Sequence, residues 1–246
     1  MTKTTRQPRP ENYAMTRVRL ALLNAAYDDT NARRNYRRDL DAELVEFSVN
    51  EGELPTDFSF DGCVVTGSRA SVYWDEDWIP PFKEWLAAAI DEGLPFFGVC
   101  YGHQILADVL GGQVEDMGRY EVGYRTVTHF ENDPIFANLD RKFTVFTTHS
   151  DRVRVLPEGA KPLAATEYGN HGFRLDNVVG VQFHPEYDLQ TARELVEEKD
   201  ISEERRARLR ADLTEAVYAE AQPAKGVFDN FIAEVTSKTQ QPVAAD

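Results

Sequence analysis

Cys100, His184 and Glu186 are the residues of this chain whose types and surroundings could do chemistry. Cys100 sits in Gly98-Val99-Cys100-Tyr101-Gly102-His103-Gln104. The apolar run Leu94-Pro95-Phe96-Phe97 before it reads as a buried strand, and Ile105-Leu106-Ala107-Asp108-Val109-Leu110 after it reads as a helix. A strand, a Gly-x-nucleophile-x-Gly turn and a helix make a nucleophile elbow, which leaves the nucleophile exposed at the carboxyl end of the strand. The helix that follows aims its first N–H groups and its dipole at the sulfur, which favours a thiolate. In Val179-Gly180-Val181-Gln182-Phe183-His184-Pro185-Glu186-Tyr187, side chains at i and i+2 of an extended segment lie on one side, so His184 and Glu186 can be neighbours. Imidazole as base and carboxylate as its orienter are what a thiol nucleophile needs. The oxyanion of an attacked carbonyl needs fixed donors. The residue after an elbow nucleophile supplies one backbone N–H, here Tyr101. The second is expected from the loop after the third strand, Thr66-Gly67-Ser68-Arg69, at Gly67 first, where the missing side chain permits close approach, and at Ser68 next.

Elements must position these groups. Val18–Asn24, Glu43–Val49, Asp61–Thr66 and Phe96–Val99 read as strands. Asp28–Leu40 reads as an Arg-rich helix. Trp78–Glu92 reads as an amphipathic helix with Phe82, Trp85, Leu86 and Ile90 at helical spacing. This alternation predicts an α/β fold: a doubly wound, mainly parallel sheet flanked by helices. Between Gly123 and Gly180 short β-rich pieces (124–129, 143–148, 163–166, 172–175, 178–183) predict a small antiparallel extension leading to His184. From Leu189 the chain reads as helical, with Glu194–Glu220 rich in Glu, Arg, Leu and Ala, Glu194–Arg210 a charged stretch within it, Pro223 a break and Lys225–Ser237 a last helix. Residues 1–16 are polar and Pro-bearing and are expected to be disordered, with Met15 an alternative start; 17–237 form the domain and 238–246 a tail.

The composition narrows the classes. The chain has 246 residues, 42% of them hydrophobic, enough for one α/β core. Against 42 Asp and Glu stand 27 basic residues, 20 Arg and 7 Lys, a formal charge of −15. That balance argues against a nucleic-acid surface. Acidic excess with few lysines also suits a high-salt cytoplasm. No apolar run approaches the ~20 residues that span a bilayer, no signal-peptide core is present, and two cysteines make no disulfide framework; a cytoplasmic protein without membrane contact is expected. Cys63, in an apolar strand pattern, is expected to be a packed thiol. The five histidines, 103, 129, 149, 171 and 184, show no metal-ligand spacing, so no metal is expected.

Gly-x-Cys-x-Gly-His-Gln followed by His-Pro-Glu resembles the class I (triad) glutamine amidotransferases, and most of all the GMP-synthase-type glutaminase domain and its free-standing relatives. The resemblance runs from about Val18 to about Phe231. It implies that Cys100 attacks the side-chain amide of L-glutamine, with a γ-glutamyl thioester as intermediate and no cofactor. It further implies that Gln104 helps to bind glutamine, and that His149, Ser150 and Asp151 meet its α-amino and α-carboxylate groups, largely through backbone. Glu121-Val122-Gly123 resembles a family segment beside the site and is given no catalytic role. Tyr101, where the family more often has a small aliphatic residue, and the long stretch from Leu189 to Pro223 depart from the pattern. No Ser-Gly-Gly-type pyrophosphate loop and no Gly-x-x-x-x-Gly-Lys loop occurs, so an ATP-dependent synthetase is expected only as a separate chain. Three functions follow in order: release of ammonia for such a synthetase, with GMP synthesis one candidate; hydrolysis of γ-glutamyl compounds by a free-standing enzyme; and, third, a catalytically idle regulatory module, against which the intact triad argues.

Overall fold

The computed structural model describes residues 17–27, 29–130 and 132–239. The expected extension 1–16, Met15 included, and the tail from 240 lie outside the described residues, while 238 and 239 close the last helix. In chain order the elements are β1 (Arg19–Asn24), α1 (Asp29–Asp39), β2 (Glu43–Ser48), β3 (Gly62–Val65), α2 (Ile79–Asp91), β4 (Phe96–Val99), α3 (Tyr101–Val109), β5 (Gln113–His129), β6 (Lys142–Val155), β7 (Lys161–Thr166), β8 (Gly169–Leu175), β9 (Val178–Val181), α4 (Leu189–Glu198), α5 (Glu203–Asp212), α6 (Glu215–Ala221) and α7 (Gly226–Thr239). One sheet holds all the strands, in the order β2-β1-β3-β4-β9-β8-β7-β5-β6. The first five are parallel to one another, and every pairing from β9–β8 onward is antiparallel.

The antiparallel part continues the same sheet and is longer than the sequence suggests. β5 has 17 residues and β6 has 14. The first half of β5 is mostly polar and has Gly118 at a φ of 66°, and the register with β6 shifts between Asp116 and Glu121. A bulge of this kind interrupts the period-2 signal that would mark a strand.

Alternation along the parallel strands fills two layers. Leu20 and Leu22 of β1 and Val64 of β3 pack with Tyr36 of α1 and with Phe228, Phe231 and Val235 of α7. Ala21, Leu23 and Val65 point the other way, onto Phe82 and Leu86 of α2 and Ile105 of α3. Each fully buried Leu or Phe contributes about 1.5–3 kcal/mol. A smaller cluster joins Leu189, Ala192 and Val196 of α4 and Leu209 of α5 to Val122 and Phe146.

The stretch after the His-Pro-Glu segment is three short helices rather than one. Asp188, Ser202 and Thr214 cap them, each side chain accepting from the backbone N–H of Thr191, Arg205 or Val217. Such caps satisfy donors that a helix start leaves open. Glu and Arg periodicity hid the breaks, because helix propensity alone does not mark them. Pro223 lies in a 3-10 turn, Gln222–Lys225, that leads into α7.

Candidate active site

Strands β3, β4 and β9 end at the same edge of the sheet, and the candidate residues follow directly. Val65 is opposite Gly98, and Val99 is opposite Val181. Residue 100 therefore lies beside residue 182, and the Cys100 N–H donates to the Val181 carbonyl at 2.8 Å. In open α/β sheets the crevice outside the carboxyl ends of the strands is where ligands bind.

The elbow is strained. Cys100 has φ 53° and ψ −101°, a conformation that costs a non-glycine residue about 1–3 kcal/mol. Its flanking glycines make the turn sterically feasible. A Cβ on Gly98 would lie 2.5 Å from the Gly102 backbone, and a Cβ on Gly102 would collide with the Val65 carbonyl oxygen. The first N–H groups of α3, starting with Tyr101, have no intrahelical acceptor, and the helix ladder opens with Gln104 N–H donating to the Cys100 carbonyl at 3.0 Å.

His184 is held from three sides. Its backbone N–H donates to the Phe146 carbonyl at 2.9 Å, its ring stacks on Tyr187 with centroids 4.2 Å apart, and its Nδ1 is 2.8 Å from Glu186 Oε1. β9 ends at Val181, so the His184–Glu186 approach is made by the turn through Pro185 rather than by an extended strand. Arg38 of α1 fixes that turn, donating to the Glu186 carbonyl at 2.6 Å and to Asp188 at 2.7 Å, and Arg34 reaches Asp188 at 3.1 Å. His184 Nε2 is buried with no other partner among the described residues and faces Cys100. Burial disfavours a charged imidazole, but the Glu186 carboxylate and the Cys100 sulfur outweigh it and raise His184 from 6.5 to about 10.

Around the sulfur, Gln182 Nε2 approaches Sγ at 3.5 Å and the Thr148 carbonyl lies 3.8 Å away. Gln182 does not stand out in the sequence, although Gln182, His184 and Glu186 form an alternating polar row that could have pointed to it. Cys100, His184 and Glu186 are 5%, 4% and 2% exposed. They line a cavity of about 420 Å³ together with Gly67, Ser68, Gln104, His149, Ser150 and Asp151, which is every expected site residue except Tyr101. The Tyr101 side chain is fully buried against Trp78, so only its backbone could serve the site.

Two expected binders are engaged inside the protein. Gln104 Nε2 donates to the Asp151 carbonyl and to Gln182 Oε1, both at 3.0 Å. His149 places Nδ1 2.8 Å from the same Asp151 carbonyl and Nε2 2.8 Å from Glu121 Oε2. His149, inside β6, thus braces the 149–151 stretch of that strand from behind. Glu121 also meets His171 Nε2 at 3.0 Å. Burial pushes the Glu121 carboxyl up, yet the hydrogen bonds from His149 and His171 dominate and bring it down to about 2. These three residues, far apart in sequence, bring potential ligand atoms within 4.8 Å of one another. Hydrogen bonds among the three residues and to Asp151 and Thr166 account for those facing atoms. The sequence had no local spacing to reveal the cluster, since β5, β6 and β8 each supply one member. Cys63 is fully buried in β3, and burial pushes its thiol up. His103 is buried against Phe173, outside the cavity, and burial lowers it to about 3.

Part of the charged segment after Leu189 walls the cavity. Thr191, Glu194, Leu195, Glu198, Lys199 and Asp200 all line it, and Glu198 reaches across to Arg69 of the loop after β3 at 2.7 Å. Among the described residues no helix is long and apolar enough to cross a membrane.

A family model described as glutamine amidotransferase class-I matches residues 23–202. The GMP synthase [glutamine-hydrolyzing] of Thermomicrobium roseum is 36% identical over 161 residues, covering 65% of this chain and 29% of that protein. Gamma-glutamyl peptidase 5 of Arabidopsis thaliana is 30% identical over 169 residues, covering 61% of this chain and 64% of that protein. The chain thus spans under a third of the length of this GMP synthase. Among solved structures, a glutamine amidotransferase from Thermotoga maritima aligns with a TM-score of 0.76 at 24% identity, covering 90% of this chain and 99% of that one. A glutamine amido transferase from Methylobacillus flagellatus aligns at 0.76 and 16% identity, covering 94% and 99%. These structural likenesses establish the fold.

Proposed function

Because the chain belongs to the class I glutamine amidotransferase family, we propose that it hydrolyses the side-chain amide of L-glutamine through Cys100, His184 and Glu186. The observation that carries this reading is the His184 ring, bound through Nδ1 to Glu186 at 2.8 Å with Nε2 on the side of Cys100, inside a cavity at the sheet edge. His184 Nε2 takes the Cys100 thiol proton, Sγ attacks the amide carbon, and backbone N–H groups of Tyr101 and of Gly67 or Ser68 receive the oxyanion. His184 Nε2 passes its proton to the amide nitrogen, the C–N bond breaks and ammonia leaves. His184 then takes a proton from water, the hydroxide attacks the thioester, and glutamate departs as the thiol re-forms. No step calls for a cofactor. Gln104, with the backbone of His149, Ser150 and Asp151, holds the amino-acid end of the substrate. Residues 17–237 act as one domain.

Ammonia made in this way is supplied to a separate ATP-dependent synthetase, and the GMP synthases among the relatives make an XMP-aminating partner the first to test. Docking then raises a weak basal activity, because a segment that follows Glu186 directly walls the cavity and can report on the triad. That same wall favours a second reading, a free-standing γ-glutamyl hydrolase, as the peptidase relative also suggests. The working compartment is the cytoplasm, and the acidic excess is an adaptation to salt there. The deciding experiment measures ammonia release from glutamine by the purified chain, alone and with an XMP-aminating partner. Stimulation by the partner supports the first reading. Full turnover of glutamine or γ-glutamyl peptides without it supports the second. No Cys100-dependent turnover of either refutes both.

A further inference from the structure

Lys199 follows the last turn of α4, and its side chain reaches the cavity that holds Cys100. Its Nζ lies 4.3 Å from the centre of the Tyr120 ring. Among the described residues this ammonium has that ring as its neighbour and neither a hydrogen-bond nor an ion-pair partner. The other charged groups nearby are engaged or exposed. Arg69 pairs with Glu198 at 2.7 Å, Arg205 donates to the Tyr120 carbonyl at 2.6 Å, and Glu194 accepts from Asn31 and Gln190 at 2.7 and 2.8 Å. Asp200 is exposed and not within ion-pair distance of Lys199. Burial lowers the Lys199 pKa, Arg69 and Arg205 add to the effect, and Cys100 opposes it. In a chain of net charge −15, a half-buried lysine left without a carboxylate in the cavity that also holds the reacting sulfur is poised for an anion from outside.

We propose that Lys199 is a carboxylate-binding residue of the substrate site, contributed by the end of α4 and aimed at a γ-glutamyl compound. This rests on reading the cavity as a γ-glutamyl amide site. Two carboxylates of such compounds share the chemistry: the α-carboxylate of the γ-glutamyl group, and that of an amino acid joined through the γ-amide.

The test uses the full chain carrying Cys100→Ala, so that ligands are bound and not consumed, with and without Lys199→Met. Calorimetry follows L-glutamine, γ-glutamylglycine, γ-glutamylethylamide, which lacks the second carboxylate, and 4-aminobutanamide, which lacks the first. Loss of a charge-assisted hydrogen bond should weaken the carboxylate ligands about tenfold or more, leave 4-aminobutanamide unchanged and be partly restored by Lys199→Arg. Equal weakening of glutamine, γ-glutamylglycine and γ-glutamylethylamide assigns the lysine to the α-carboxylate. Weakening of γ-glutamylglycine alone assigns it to the departing amino acid. Unchanged affinity for all in Lys199→Met and Lys199→Gln overturns the proposal, as does failure of every carboxylate ligand to bind when Lys199 is present. Lys199-dependent binding here, together with no amide hydrolysis by the chain that retains Cys100, keeps this proposal and discards the enzymatic one.

Discussion

The imidazole of His184 fills the space that a side chain on Gly67 would need: a Cβ there would lie 2.9 Å from His184 Cε1 and 3.6 Å from Cys100 Cβ. Gly67 therefore has a role beyond offering an N–H, since its missing side chain lets base and nucleophile meet. Gly67→Ala is expected to fold, because the intruding atom meets the edge of a ring and not backbone. It should lower kcat/KM for glutamine about a hundredfold by displacing His184. Near wild-type turnover in Gly67→Ala would show that the ring has room to give.

The elbow glycines face backbone and should behave differently. In Gly102→Ala the new methyl would collide with the Val65 carbonyl, so β3 or α3 must shift. A loss of about 1–3 kcal/mol in stability is expected, read as a lower midpoint in urea. A Gly102→Ala protein as stable as the parent would contradict this packing.

His184→Ala should be about as damaging as loss of Cys100, because triad members act as a unit, and Glu186→Gln milder by about a hundredfold. With His184 raised to about 10, the imidazolium persists through neutral pH. Its contribution to stability is complete below 6.5 and is lost as pH rises through 10. The alkaline limb of kcat/KM should fall near pH 10 and move to lower pH in Glu186→Gln, since Glu186 is the foremost group holding the proton. A limb that stays in place would assign it to another group.

Cys100 should be alkylated by iodoacetamide much faster than Cys63, whose thiol is fully buried and pushed up by burial. Mass mapping of the first label checks this. Cys100→Ala should leave the fold intact and reduce ammonia release about a thousandfold or more. Substantial hydrolysis by that variant would remove the nucleophile assignment.

Excess carboxylates repel one another across the surface, and at 1 M salt the Debye length falls to about 3 Å. At a net charge of −15, relief of this repulsion should exceed the weakening of exposed pairs such as Arg17–Asp41. The melting temperature is therefore expected to rise between dilute buffer and molar KCl. A flat or falling curve would count against adaptation to salt.

The local parts of this protein were legible in its sequence. Alternating and continuous apolar runs marked β1 to β4, helical spacing marked α2, and two glycines around one cysteine marked the elbow, because each depends on neighbours a few residues apart. The same holds for His184 and Glu186, which meet across one proline. What the sequence alone did not determine depends on strand order and register. Pairing of β4 with β9 brings Gln182 to Cys100 across 82 residues. Pairing of β5 with β6 sets Glu121 opposite His149, and the antiparallel strands carry His171 to the same carboxylate. The caps at Ser202 and Thr214 turn a charged run into separate helices, and the end of α4 leaves Lys199 at the cavity wall. Each is a long-range choice, made by burying one face of each element against another, and it leaves no periodic trace at the residues it brings together.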